Sequence, residues 1–198
     1  MAKLNTGLVA RLAILVIALA PSARAEGPIR DQMKDPLLTP KNSVLIIIDY
    51  QPISVSSIQS MDPHLLVDNI VRVAKTAKAY GMPIILSTTG VNSVGKKPTI
   101  RELQEVLGDI KAIDRTTLNA WEDPAFLAAV KATGRRKLVM CALWTEVCLA
   151  FPALDAMREG YEVYPVVDAV GGTSVEAHRA GLDAFFRPAV TRRAGCSS

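Results

Sequence analysis

The stretch SVLIIIDY, residues Ser43 to Tyr50, is a run of five aliphatic residues that ends at a carboxylate. An unbroken aliphatic run, without alternation of polar residues, is typical of a strand buried on both faces. Segments 82–89, 111–115, 136–143 and 161–170 predict four further strands. Helical patterns lie between the strands, so we expect a three-layer α/β/α fold with a mostly parallel, doubly wound, Rossmann-like sheet.

The intervening helices have recognisable beginnings and ends. Asp62-Pro63 and Asp123-Pro124 each predict a helix start, and Gly81 and Gly134 predict the corresponding ends. Further helices are predicted over 99–107, 146–160 and 175–186. The polar segment 90–98, GVNSVGKKP, is predicted to be a mobile loop that could cover a site.

The amino-terminal 25 residues predict a secretory signal peptide. Basic residues precede an apolar run over 12–20, and Ala23-Arg24-Ala25 has the small-residue pattern of a cleavage site. The apolar run is well short of the ~20 residues that an uncleaved anchor would need. We therefore expect export, to the periplasm of a bacterium, with cleavage after Ala25 and no membrane attachment afterwards.

Export changes how the composition is interpreted. Removing three basic residues with the signal peptide lowers Lys+Arg from 23 to 20 against 19 acidic residues, so the formal charge falls from +4 to +1. That balance argues against a nucleic-acid partner. Residues 26–42 are expected to form an irregular arm, 43–187 a single domain and 188–198 an atypical tail.

Polar residues at the carboxyl ends of the predicted strands are candidates for a site, because ligands of doubly wound sheets bind there. Asp49 follows the first strand; the alternative is a helix N-cap or a rim carboxylate, although Gln51 and Pro52 do not lead into an obvious helix. Arg115 follows the third strand; the alternative is a solvated arginine paired with Asp114 or Asp109.

Cys148 lies just past the fourth strand, in the first turn of a predicted helix. A helix amino terminus stabilises a thiolate, and Thr145 fits an N-cap for this helix. The alternative is an inert core cysteine, the commoner fate of a free thiol. Three cysteines are too few for a disulfide framework, and Cys141 is expected to lie too far from Cys148 to pair with it.

The segments SVLIIIDYQ, DRTTLNAW and LWTEVCLAFPALDAMREGYEVYPVVDA together resemble the isochorismatase-like cysteine hydrolases, and within them the YcaC-like group. The resemblance implies a catalytic triad of Asp49, Arg115 and Cys148, and a non-proline cis peptide at Leu143-Trp144. It also implies an oxyanion hole formed by the backbone N–H groups of Trp144 and Cys148.

The same resemblance implies a small-molecule amide substrate, no cofactor and assembly into a homo-oligomer. Gln51, Trp121 and Trp144 are candidates to line the pocket. A metal site is not expected, because the two histidines, His64 and His178, do not form an Asp-x-His cluster. His64 is expected at the surface and His178 packed on the last helix.

The chain departs from the family pattern at three places. The basic member of the triad is Arg115 instead of the usual Lys, the family glycine two residues before Trp144 is Ala142, and the ending RPAVTRRAGCSS has little strand pattern. The ending leaves open whether the last edge strand is present. Two alternatives to a hydrolase therefore remain: a binding or assembly protein that has lost turnover, and a thiol redox protein, which the absence of a C-x-x-C motif disfavours.

Overall fold

The computed structural model describes residues 31–186, and the predicted signal peptide, its cleavage site and the tail 188–198 lie outside them. Within this range a five-stranded, all-parallel sheet has the order β3-β2-β1-β4-β5. The strands are β1 (Ser43–Ile48), β2 (Ile84–Thr89), β3 (Ile113–Arg115), β4 (Lys137–Ala142) and β5 (Glu162–Pro165). The predicted doubly wound α/β fold is confirmed.

The helices within the described range are α1 (Pro52–Ser56), α2 (Pro63–Ala79), α3 (Val91–Val94), α4 (Arg101–Leu107), α5 (Pro124–Ala132), α6 (Ala150–Arg158) and α7 (Val175–Phe186). A 3-10 turn covers Ala120–Glu122. No helix of residues 31–186 has the length and apolarity needed to cross a bilayer.

The order of the strands places the helices on two faces. The chain moves outward from β1 through β2 to β3, returns to β4, and then moves outward to β5. Because parallel crossovers are right-handed, α2 and α4 cover one face and α5 and α6 the other. In agreement, α2 contacts α4, and both α5 and α6 contact the 3-10 turn.

The central strand is the most deeply buried part of the molecule. All six residues of β1 are inaccessible to solvent, as the aliphatic run predicted. Asp62 and Asp123 cap α2 and α5 through side-chain oxygens that accept backbone N–H groups, which confirms both predicted helix starts.

Three details of the sequence-based prediction are wrong. The fifth strand, predicted to reach Val170, ends at Pro165. The Val166 N–H still donates to the Met140 carbonyl, but the chain then turns, and the Ala169 N–H donates to the Val166 carbonyl instead of to β4. Gln51 and Pro52 do lead into a helix, the short α1. The predicted loop 90–98 contains the one-turn helix α3, bounded by Gly90 and Gly95 in left-handed conformations.

Candidate active site

Asp49 lies at the carboxyl end of β1, where the chain leaves the sheet. It is the one non-glycine residue of the described range with a positive φ, 61°, and it is only 4% exposed. Its Oδ1 accepts a hydrogen bond from the Thr89 hydroxyl at 2.8 Å. α1 has Gln51 at its N-cap and no side-chain capping bond, so Asp49 is not a helix cap.

Arg115 lies at the carboxyl end of β3 and is 1% exposed. Its Nη1 donates to Asp49 Oδ1 at 2.9 Å and its Nη2 donates to Asp49 Oδ2 at 2.5 Å. Nη1 also donates to the Ser87 hydroxyl at 3.1 Å. The solvated pairing with Asp114 or Asp109 is therefore wrong: Arg115 forms a two-bond ion pair with a residue 66 positions earlier in the chain.

Asp114, the neighbour of Arg115, has a different task. Its carboxylate accepts the backbone N–H groups of Val91 and Asn92 and the Thr88 hydroxyl, and so holds the start of α3. Partial burial alone would raise the pKa of Asp114, but these hydrogen bonds lower it below its usual value. Asp114 thus anchors the first turn of α3 to the end of β3 through hydrogen bonds.

Cys148 lies on a single π-helical turn, Thr145–Leu149, which we call the cysteine turn. Single π turns inside or before α-helices occur often at functional sites. The predicted capping role of Thr145 is wrong, because this turn has no side-chain cap and the Thr145 hydroxyl pairs with His178 instead. Cys148 and Cys141 are both free thiols.

The Cys148 thiol is held in its neutral form. Burial, with 5% of the residue exposed, raises the pKa of Cys148 to about 12, and the charge of Asp49 and a hydrogen bond to it act in the same direction. Arg115 and a backbone hydrogen bond from Trp144 oppose this effect without overcoming it. The expectation that the helix amino terminus favours the thiolate is therefore wrong, because desolvation has the larger effect on the thiol pKa.

Trp144 immediately precedes the cysteine turn. The Leu143-Trp144 peptide is cis, as the family resemblance implied. The Trp144 indole Nε1 donates to the Ser57 hydroxyl at 2.7 Å, which fixes the ring against the residue that follows α1. Its backbone hydrogen bond to the Cys148 thiol places the Trp144 amide beside the sulfur.

The two other candidate pocket residues are engaged in structural contacts. Gln51 accepts from the Thr89 N–H and donates to the Lys97 carbonyl, so its amide links β2 to the segment before α4. Trp121 is buried in edge-to-face contacts with Phe126 and Tyr161, and its Nε1 donates to Glu159 at the far end of α6. The structure thus brings Asp49, Arg115, Cys148 and Trp144 together but directs Trp121 away from them.

Sequence reasoning missed Ser87, Thr89 and His178. Ser87 and Thr89 end β2 with hydroxyls that bond Arg115 and Asp49, and their position at a strand end was the available indication. His64 is exposed, as expected.

Comparison with known proteins places these residues in a family context. The isochorismatase domain model matches residues 43–194. The probable hydrolase YcaC of Escherichia coli is 36% identical over 138 residues, covering 68% of this chain and 64% of that protein. The chain therefore spans slightly less than two thirds of this curated relative.

Two solved structures are similar along most of the chain. YcaC from Pseudomonas aeruginosa, solved with hexane-2,5-diol and covalent acrylamide, is 30% identical with a TM-score of 0.71 and coverage of 75% and 74% of the two chains. YcaC from Escherichia coli, described as an octameric hydrolase of unknown specificity, is 32% identical with a TM-score of 0.70 and coverage of 74% and 72%.

Proposed function

From the premise that this chain belongs to the isochorismatase family, we propose that it is a cysteine hydrolase that cleaves a small amide through a thioester on Cys148. The observation that carries the proposal is the buried Asp49–Arg115 ion pair facing a free thiol at the carboxyl ends of β1, β3 and β4. A nucleophile, a base and a fixed cation in one buried site are the components of covalent acyl transfer.

The raised thiol pKa constrains the order of events. Because the pKa of Cys148 is raised to about 12, the thiol is neutral at pH 7 before the substrate reacts. The thiol therefore gives its proton to Asp49 as sulfur attacks the substrate carbonyl, not beforehand. The backbone N–H groups of Trp144 and Cys148 would stabilise the developing oxyanion, and this stabilisation offsets the unfavourable proton transfer.

The second half of the reaction uses the same groups. Protonated Asp49 donates its proton to the nitrogen of the leaving amine, the C–N bond breaks and the acyl group stays on sulfur. Asp49 then accepts a proton from the water that attacks the thioester. As the C–S bond breaks, Asp49 returns this proton to the departing sulfur, which releases the acid and restores the thiol. Arg115 cannot relay a proton because its guanidinium stays charged, so its role is to hold the Asp49 carboxylate in place.

Acrylamide supports an amide substrate class. The Pseudomonas aeruginosa YcaC structure contains covalent acrylamide. An acrylamide molecule carries both a carboxamide and an alkene that reacts with thiols. We propose that the present site accepts a carboxamide next to Cys148.

The test is hydrolysis of a panel of small primary amides by the parent protein, Cys148→Ser and the matched control Cys141→Ala, which removes the other buried free thiol. Mass spectrometry of the quenched reaction should place an acyl group on Cys148 alone, and hydroxylamine should remove this group as a hydroxamate. Turnover by the Cys148→Ser variant at the parent rate would refute the proposal.

A second candidate is a binding or assembly protein of the same fold that has lost turnover. Arg115 favours it, since this arginine ties both Asp49 oxygens where the family usually has lysine. Amide binding by calorimetry without hydrolysis or acyl-enzyme formation would identify this function.

We further propose that the chain assembles with copies of itself. Escherichia coli YcaC is described as octameric. In the present chain α6 exposes the large apolar side chains of Phe151, Leu154 and Met157, and Leu118, just before the 3-10 turn, is exposed as well. Light scattering of the parent and a Phe151→Asp variant tests this: the variant should dissociate into smaller species.

Export is also proposed, on the sequence of residues 1–25 alone. Expression of the full chain in a bacterium, followed by amino-terminal sequencing of the periplasmic fraction, should give a protein that begins at Glu26. Recovery of the uncleaved chain in the cytoplasm would contradict it.

A further inference from the structure

We propose that His178, on α7, is a positioning residue that fixes the cysteine turn through Thr145. The Thr145 hydroxyl and His178 Nδ1 are 2.8 Å apart, and Thr145 is inaccessible to solvent. This inference rests on the proposed role of Cys148 as nucleophile, and it adds a residue that touches neither the substrate nor the reacting sulfur.

A small displacement of Thr145 would move both the Trp144 amide and the Cys148 sulfur. It directly follows Trp144, whose backbone amide bonds the thiol, and it begins the cysteine turn that carries Cys148. A shift of Thr145 therefore changes the relation of the sulfur to the proposed oxyanion donors. Reactive geometry is sensitive to displacements of about 1 Å.

The rest of the cysteine turn is fastened to the same region. The Thr145 N–H donates to the Gly171 carbonyl at 2.9 Å, and Glu146 Oε1 accepts from the Thr173 N–H at 2.9 Å and from its hydroxyl at 2.7 Å. At Gly181 an added Cβ would lie 2.9 Å from Glu146 Cα, so α7 packs against the turn's backbone with no room for a side chain.

His178 is the residue of α7 that makes a side-chain hydrogen bond to the turn. Because a hydroxyl both donates and accepts, either neutral tautomer of the imidazole can make this bond. The imidazole thus links the helix to the buried threonine, while the close approach at Gly181 sets the distance between the two elements.

Two reagents separate positioning from simple accessibility. Acrylamide forms a bond between its terminal alkene carbon and the Cys148 sulfur, and the thiol proton ends on the adjacent carbon; its carboxamide must fit the site. Methyl methanethiosulfonate transfers its methylthio group to the Cys148 sulfur, which forms a mixed disulfide and releases methanesulfinic acid. This reagent carries no amide. Loss of positioning should slow the first reaction and leave the second as fast or faster.

The variants are Thr145→Val, which keeps the shape of the side chain and removes the hydroxyl, Thr145→Ser, which keeps the hydroxyl, His178→Ala and His178→Asn. Arg179→Gln, at an exposed neighbouring position, is the matched control. We expect Thr145→Val and His178→Ala to slow acrylamide addition by between about tenfold and about 100-fold. Thr145→Ser and Arg179→Gln should react like the parent, and His178→Asn should retain most of the rate.

The effects of Thr145→Val and His178→Ala should not add, because each breaks the same contact. Acrylamide addition at the parent rate in Thr145→Val, a variant that preserves packing, overturns the proposal even if His178→Ala does not fold. Adduct rates are read by mass spectrometry and need no turnover. A failure of the proposed hydrolase activity, seen with Cys148→Ser, is therefore distinguishable from a failure of this inference.

Discussion

Arg115 and Asp49 form a two-bond ion pair in which neither side chain is exposed by more than 5%. The guanidinium Nε has no hydrogen-bond partner within the part of the chain that the structure describes. Nη1 and Nη2 also donate to the Ser87 hydroxyl and to the Thr88 and Leu118 carbonyls, but the negative charge that compensates for burying this cation is the Asp49 carboxylate. An unpaired charge left at this depth is strongly destabilising, more so than the loss of the pair as a whole.

The first prediction concerns this pair. Asp49→Asn and Arg115→Met should each lower the free energy of unfolding by about 3–5 kcal/mol, because each leaves one buried group without its partner. The double variant should lose less than the sum of the two. Urea denaturation of the four proteins in a double-mutant cycle measures this; additive losses would show that the two groups are not coupled. Asparagine tolerates the positive φ of residue 49, so Asp49→Asn tests charge and not backbone strain.

Alkaline stability is the subject of the second prediction. Burial raises the pKa values of Cys148, Cys141 and Tyr50, so the folded chain binds more protons than the unfolded chain at alkaline pH. For the two thiols, the contribution to the free energy of unfolding is fully present below the pKa of an unfolded thiol, near 9. It is lost as pH rises from there through the pKa of the folded state, by about 1.4 kcal/mol per pH unit for each group.

Cys148→Ser removes one of these groups. The melting temperature between pH 8 and pH 11 should fall less steeply for this variant than for the parent. Identical slopes would mean that the Cys148 thiol titrates normally in the folded state. Cys141→Ala is the comparison, because it removes a second buried thiol away from the ion pair.

How much of this site the sequence predicts depends on how far apart the contacting residues lie. Asp49, Arg115 and Cys148 could be found because parallel strands bring their carboxyl ends to one edge. The partner of Arg115 could not, since neighbouring Asp114 was an equally plausible candidate until the register of β2 and β3 was known. The strand-end rule gives the location of a site but not its pairings.

The hydrogen-bond partner of Thr145 could not be predicted from the sequence either. Its position before a helix suggested a local cap, but its hydroxyl bonds His178, 33 residues later. Local patterns cannot reveal such a contact, because it depends on how α7 packs on the cysteine turn. The raised pKa of Cys148 was likewise unpredictable, because the desolvation that causes it depends on tertiary burial.

The third prediction concerns the melting temperature at acidic pH. Burial lowers the pKa of His178, an effect that the charge of Glu146 partly offsets. A histidine with a lowered folded pKa contributes stability that is complete above the unfolded value near 6.5 and is lost as pH falls below it. His178→Asn should therefore flatten the decline in melting temperature between pH 7 and pH 5.

Glu146 is the charged group whose field reaches His178, and Glu146→Gln serves as the control. By removing the charge that favours protonated His178, it should steepen the decline. A parent whose melting temperature does not change over this range would contradict the expected sign.

The fourth prediction concerns the amino-terminal arm. Buried Lys137, at the start of β4, donates from Nζ to the carbonyls of Asp35, Pro36 and Leu37. Lys137→Met should remove this donor from the three carbonyls, of which those of Asp35 and Leu37 keep the Asn42 side-chain amide as a donor. We expect the free energy of unfolding to fall by about 1–3 kcal/mol. Limited proteolysis should then cleave before Ser43 faster than in the parent. Lys131→Met, an exposed lysine on α5, should leave the cleavage rate unchanged.

The last prediction separates stability from activity at Arg115. Lysine offers one ammonium in place of a two-armed guanidinium, so Arg115→Lys cannot bond both Asp49 oxygens in the same plane. The variant should be less stable than the parent, yet a carboxylate with one oxygen released accepts the Cys148 proton more readily. We therefore expect kcat/KM for amide hydrolysis, and the rate of acrylamide addition to Cys148, to rise while the urea midpoint falls. Arg115→Met should be destabilised without that gain, since it leaves no cation beside Asp49. Equal losses of rate in both variants would mean that the two-bond geometry itself, and not merely a positive charge, is required for the chemistry.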